Sequence, residues 1–190
     1  MPMAAGYTRA SMCRALLLFA AALAMSGCLV VALQPVYDDQ SLIFDEALLG
    51  QWENAEDGTR ATVERGEWRS YKITFVDRTA TRVFQGNLTR IGASTFLDLT
   101  EMRGADPGPL LVPVHGIARI TIKEGALEVA LLDYDWFMRA MSRKALGRLT
   151  TAVDDRRNAV ITAATSEMKR WLTQTPAGAF AAPATFTRKP

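Results

Sequence analysis

The chain has 190 residues, 49% of them hydrophobic, with 22 Lys and Arg against 20 Asp and Glu and a single histidine. That length suits one domain with its own core. A net charge of +2 argues against nucleic acid as a partner, because phosphate binding needs a basic excess or patch. One histidine and two cysteines leave almost nothing for a zinc site.

The chain begins with a leader. Arg9 and Arg14 are its only charges, no acid precedes Asp38, and Ala15 to Ala24 is an unbroken apolar run. A positive head, an apolar run of about 7–15 residues and a small-residue exit make up the secretory signal form. The run falls short of the roughly 20 apolar residues that span a bilayer. Counted on through Cys28 to Leu33 it reaches that length, so an uncleaved membrane anchor is the competing reading.

The exit reads Leu23-Ala24-Met25-Ser26-Gly27-Cys28. The small pair Ser26-Gly27 ahead of Cys28 resembles the lipobox of bacterial lipoproteins, with Met25 where that family usually has Leu. The resemblance covers residues 1–28. It implies cleavage before Cys28, two acyl chains on the Cys28 sulfur and often a third on the new amino group. Leu29, not Asp, follows, which in lipoproteins of enteric-type bacteria implies the outer membrane, facing the periplasm. Each buried methylene adds about 0.8 kcal/mol, so two or three chains anchor stably where one does not. The alternative is an ordinary signal peptide with an unrelated cysteine. Loss of residues 1–27 removes both leader arginines and makes the remaining chain neutral. Cys13 leaves with the leader and Cys28 is capped, so no thiol is left for a disulfide.

Residues 28–40, with Pro35 and two acids, read as a short lipidated tether. Residues 41–49 read as a helical turn or two, capped by Ser41 and stopped by Gly50. Gly50-Gln51-Trp52 resembles the first-strand signature of lipocalins, in which the tryptophan plugs one end of a barrel.

Residues 59–132 carry the main structural signal. Thr59 to Glu64 is a short strand. Tyr71, Ile73 and Phe75 alternate with Lys72 and Thr74, the period of a half-buried strand. Phe84, Gly86 and Leu88 share a face of the next strand, and Leu97 and Leu99 of the one after. Residues 101–113, with three prolines and two glycines, form the longest loop of the β region. Ala118, Ile120 and Ile122 share the face of Val114, with His115 opposite. Glu124-Gly125 turns the chain into a last hairpin strand bearing Leu127, Val129 and Leu131. Such a meander must curl or close to hide its edges.

From Asp133 the period changes. Residues 133–146 read as a helix ended by Gly147, with acids first and bases last. Residues 159–162 read as a short strand, and a helix capped by Thr165 or Ser166 runs through Trp171. The Ala-, Pro- and Thr-rich stretch 176–190 reads as a loose tail. The fold class is therefore mainly β with flanking helices (α+β): one domain over residues 41–175, an antiparallel meander curled into a half-barrel or a lipocalin-like barrel, with C-terminal helices. Leu48, Gly50, Trp52, Tyr71, Phe96-Leu97-Asp98-Leu99, Pro113, His115 and Asp133-Tyr134-Asp135-Trp136 are similar to the pattern of small uncharacterised bacterial lipoproteins, a resemblance that implies no particular activity.

The chemistry is sparse. No nucleophile elbow, zinc-protease helix, phosphate loop or dinucleotide fingerprint is present. Asp133 and Asp135 suit helix capping better than calcium, because Trp136 stands where a calcium loop wants glycine or oxygen. No cofactor is expected. The candidate ligand-facing residues are Tyr71, Phe75, Phe84 and His115, and Cys28 is the lipid-attachment site. The leading reading is a non-enzymatic, lipid-anchored binding or accessory module for a small apolar ligand or an envelope protein. The alternatives are a periplasmic hydrolase with a site near loop 101–113 and His115, and a structural component of an envelope complex.

Overall fold

The computed structural model describes residues 29–102 and 112–189. Cys28 and most of the loop 101–113 lie outside them. Among the described residues the strands are β1 (Val30–Ala32), β2 (Leu42–Ile43), β3 (Gly50–Glu53), β4 (Arg60–Arg65), β5 (Ser70–Val76), β6 (Thr81–Ile91), β7 (Ser94–Glu101), β8 (His115–Lys123), β9 (Ala126–Leu131), β10 (Thr151–Val153), β11 (Ala159–Ile161) and β12 (Ala184–Arg188). The helices are α1 (Tyr134–Ser142) and α2 (Thr165–Gln174), with short 3-10 turns at Glu46–Leu48 and Ala177–Ala179.

From β3 to β9 each strand pairs antiparallel with the next. β12 then pairs with both β9 and β3. The result is a closed eight-stranded up-and-down barrel, so the meander closes completely and its edges vanish. The local signals act as their residue types require. Gly125 supplies the positive φ of +82° in the two-residue β8–β9 turn, and the Asp133 carboxylate accepts the Trp136 N–H at 2.6 Å to start α1.

The barrel wall separates two cores. Alternate residues point inward, among them Trp52, Tyr71, Ile73, Leu88, Leu97 and Ile120. Their neighbours Phe96, Ile117 and Ala130 point outward and pack with Phe137 of α1 and Met168 and Leu172 of α2. Burying a large apolar side chain contributes about 1.5–3 kcal/mol, so each face of the wall holds one layer in place.

Both ends of the chain depart from the sequence expectation. The helices are not C-terminal, because they lie in the insertion between β9 and β12. The stretch 176–190 is no loose tail: β12 completes the barrel, with Phe186 buried and paired with Leu127. The stretch that includes residues 29–40 is no free tether. β1 pairs parallel with β11 and antiparallel with the start of β8, because Val30 and Ala32 alternate into the outer core. Past it, Val36 is fully buried. Two caps also differ. Ser41 exchanges hydrogen bonds with Asp38, and Asp45 caps the 3-10 turn. Thr165 bonds the Pro35 carbonyl at 2.8 Å and leaves α2 without a side-chain cap.

The strap after β1 is tied to α2 by Lys169 Nζ, 2.7 Å from Asp38 Oδ2. That bond, helped by Ser41, holds the Asp38 carboxyl down to about 2. A lowered carboxylate pKa favours the fold above the unfolded value of about 3.9 and loses that effect as pH falls through the folded value. Carboxyl-carbon NMR should therefore give Asp38 a midpoint near 2, and Lys169→Ala should move it back toward the ordinary aspartate range. An unchanged midpoint in that variant would show that Lys169 is not the cause.

Candidate functional site

One end of the barrel is sealed. Trp52 is buried across it, and its indole Nε1 donates to the Leu48 carbonyl at 2.9 Å. The Arg188 guanidinium lies 4.5 Å over the indole ring, donates Nη1–H to the Leu49 carbonyl at 2.6 Å and donates Nη2–H to the Ala47 carbonyl. One side chain of the last strand thus holds the first strand's tryptophan and the 3-10 turn before it. Gly50 is required here: its φ is +124°, and a Cβ would stand 2.8 Å from Arg188 Nη1. Beside this plug Tyr71 stacks on Phe44 at 4.7 Å, and its hydroxyl accepts the Asp45 N–H at 2.6 Å and donates to the Asp45 carbonyl at 3.1 Å. Burial raises the Tyr71 pKa.

The other end is open. A cavity of about 360 Å³ enters the barrel there, with Ile73, Phe75, Phe84, Leu99, Val129 and Phe186 in its wall. That volume lies within the range of small-molecule pockets, about 300–1,000 Å³. Polar groups stand at the rim, where Asn54, Asp57, Thr59 and Arg82 contribute. Arg82 pairs with Asp77 at 2.6 Å. Asp77 is held well below the usual carboxylate range by hydrogen bonds from Thr79, then from Arg82 and the Ala80 N–H. Asp57 is lowered too, chiefly by its bonds from Thr59. The mouth therefore carries fixed charges already paired within the protein, above an apolar interior.

Of the candidate ligand-facing residues, Phe75 and Phe84 line this cavity. Tyr71 does not; it belongs to the sealed end. His115 does not either. It points out of the barrel and is buried under the strap after β1, its Nδ1 2.7 Å from Asp98 Oδ1 and 3.3 Å from Thr100 Oγ1. The other Asp98 oxygen accepts the Val36 N–H at 2.8 Å. Asp98 is 1% exposed, so these bonds are what allow a carboxylate there. Its charge and that of Asp39 add to burial in raising the pKa of Tyr37 on the same strap. The arrangement fastens the strap to the barrel wall. It has the Asp–His part of a hydrolytic site, but Thr100 meets the same ring nitrogen as the carboxylate, where a nucleophile would need the opposite one.

Sequence reading missed Arg188, the rim pair Arg82–Asp77 and the contact of Asp98 with His115. The signal for Arg188 was faint: a strand-like Ala184-Thr185-Phe186-Thr187-Arg188 hidden in an Ala- and Pro-rich ending. Cys28 lies outside the described residues; its neighbour Leu29 is exposed and donates its N–H to Asn158 Oδ1 at 3.1 Å. Among the described residues no three His, Cys, Asp or Glu cluster as metal ligands, and no helix is long and apolar enough to cross a membrane.

No protein-family model, curated protein or solved structure matches this chain.

Arg188→Ala should lower stability by about 2 kcal/mol, since it removes two charge-assisted bonds and a ring contact at a partly solvated site. Arg188→Lys, which keeps the charge but not the fork, should recover less than half. Urea unfolding followed by tryptophan fluorescence measures both; wild-type stability in the alanine variant would remove Arg188 from the seal.

Proposed function

We propose that this chain is a lipid-anchored protein of the bacterial cell envelope. In this reading it is a non-enzymatic binding module of lipocalin-like build that takes a small apolar ligand into its barrel. The observation that carries the binding role is the apolar cavity, open at one end and sealed at the other. A barrel filled by its own side chains is a scaffold, whereas one with an unfilled apolar end gains free energy from whatever apolar molecule fills it. The lipocalin-like reading is supported by the Gly50-Gln51-Trp52 opening together with the Arg188 clasp on Trp52 and its 3-10 turn. The anchor reading is supported by the Arg9/Arg14 leader, its apolar run and Ser26-Gly27-Cys28, and Leu29 favours the outer membrane.

The pairing of Arg82 with Asp77 favours a ligand without a strong charge, since an anion would compete with the Asp77 carboxylate for the same guanidinium. The hydrolase alternative would have to draw on His115, whose bonds to Asp98 and Thr100 suit a structural tie.

A fluorescent naphthylamine probe that brightens in apolar surroundings tests the binding role. It should bind the wild-type protein with about one site per chain. Phe84→Glu, which sets an unpaired carboxylate in the cavity wall, should weaken it at least tenfold, about 1.4 kcal/mol or more. Equal binding in both proteins would place the probe elsewhere and remove the cavity from the function.

A further inference from the structure

The inner wall of the barrel does not stop at the mouth. β8 has two neighbours on one side: β9 opposite Ala118 to Lys123, and β1 opposite His115 and Gly116. Where β9 leaves, β1 takes over and carries the sheet outward to β11 and then β10. The register sets Val31 beside Gly116 and Val160, and Val160 beside Ala152. Residues opposite one another in a sheet point the same way, so these four form one apolar row. The same register, extended by one residue, sets Leu33 beside Val114, and Leu29 points to the same side as Val31.

The opposite face of this extension, with Val30, Ala32, Ala159 and Ile161, is buried against the helices. This face is not. Leu29 is 53% exposed, Val114 47% and Leu131 46%, with Leu33 also exposed. Leu131 also lines the cavity and pairs with Ala118, so the face runs without a break into the barrel. Met102 and Val112, at the strand ends beside the mouth, are exposed as well. Glu101, at the mouth end of β7, is exposed, pairs with Phe84 and points the same way as Leu99 and Gly116, so this side carries a carboxylate at its edge. Apolar surface that is continuous and unpartnered marks a contact with a membrane or a protein.

The chain outside the described residues decides between these. Leu29 is fastened at both ends of its backbone: its N–H to Asn158 and its carbonyl to the Ala159 N–H at 2.9 Å. Cys28 is the next residue in the chain, so acyl chains on it would attach one residue from this fastened backbone, with no intervening linker. We infer that the face formed by Leu131, Val114, Leu33, Val31 and Val160 rests on the hydrocarbon boundary of the bilayer. The barrel mouth then opens toward the lipid and receives its apolar ligand from it. The inference rests on the lipid-anchor reading above. Since Leu131, Val114, Leu33, Val31 and Val160 carry no positive charge, the contact depends on apolar burial and not on anionic lipid.

Single cysteines carrying an environment-sensitive fluorophore test this in the full chain, expressed in a bacterial host and reconstituted in phosphatidylethanolamine vesicles with brominated acyl chains. Leu33→Cys and Val114→Cys report the face. Glu124→Cys, in the β8–β9 turn at the sealed end, is the control, and each variant is first checked for wild-type unfolding. The expected result is strong bromine quenching at positions 33 and 114, little at 124, and no change when phosphatidylglycerol is added. Protein that floats with the vesicles but shows no quenching at 33 and 114 would overturn the seating and leave the anchor standing. Protein that does not float, with a Cys28 thiol that takes up label, would overturn both. Burial of 33 and 114 without vesicles, with a doubled mass, would assign the face to a second copy of the chain and overturn the seating.

Discussion

Everything in this fold depends on β12 filling the gap between β9 and β3. A seven-strand meander leaves two unpaired edges and an open trough; the eighth strand removes both edges and turns the trough into a barrel. Arg188 makes the closure specific. From the last strand it reaches the ring of Trp52 and the carbonyls of the 3-10 turn, so the two ends of the barrel sequence are clasped at one point. Only a strand that arrives after the 132–183 insertion can do this.

The wall serves two layers at once, and this explains where the protein has spare room. Along β6 to β9 its outer face is covered by α1, α2 and β1, while β4 and β5 turn exposed residues such as Glu64 and Lys72 outward. The strap is locked there by Asp98, whose two oxygens hold His115 and the Val36 N–H. Its inner face is filled only at the sealed end, around Trp52 and Tyr71. Toward the mouth the side chains no longer meet across the barrel, and a cavity of about 360 Å³ remains. An unfilled apolar volume in an otherwise close-packed protein lacks dispersion partners, and that is the free energy the proposed ligand would draw on.

Much of the barrel was legible in the sequence because period-two alternation is local. Tyr71, Ile73 and Phe75 fall on one face, as do Ala118, Ile120 and Ile122, and the structure places both sets on the inner side. Two pieces were hidden for physical reasons. β1 continues the apolar character of the residues before it in the sequence, so its alternation is masked by its surroundings. β12 carries one large apolar residue, Phe186, and owes its strand conformation to partners over fifty residues earlier in the chain. His115 illustrates the limit at the level of a site. Alternation sets it on the face opposite Val114 and Ile120. Whether that face meets a ligand, solvent or another segment depends on the strap, which comes from the other end of the sequence. The rim pair Arg82–Asp77 was invisible because an arginine facing into a barrel reads, residue by residue, like any other on a strand.

The central claim is that the open end of this barrel holds an apolar molecule. Native mass spectrometry of the protein extracted from its own host cells tests it most directly. The account predicts one non-covalent apolar adduct per chain, lost on mild activation, in addition to any covalent acyl groups on Cys28. A bare chain that also fails to take up long-chain lipids offered in excess would contradict it.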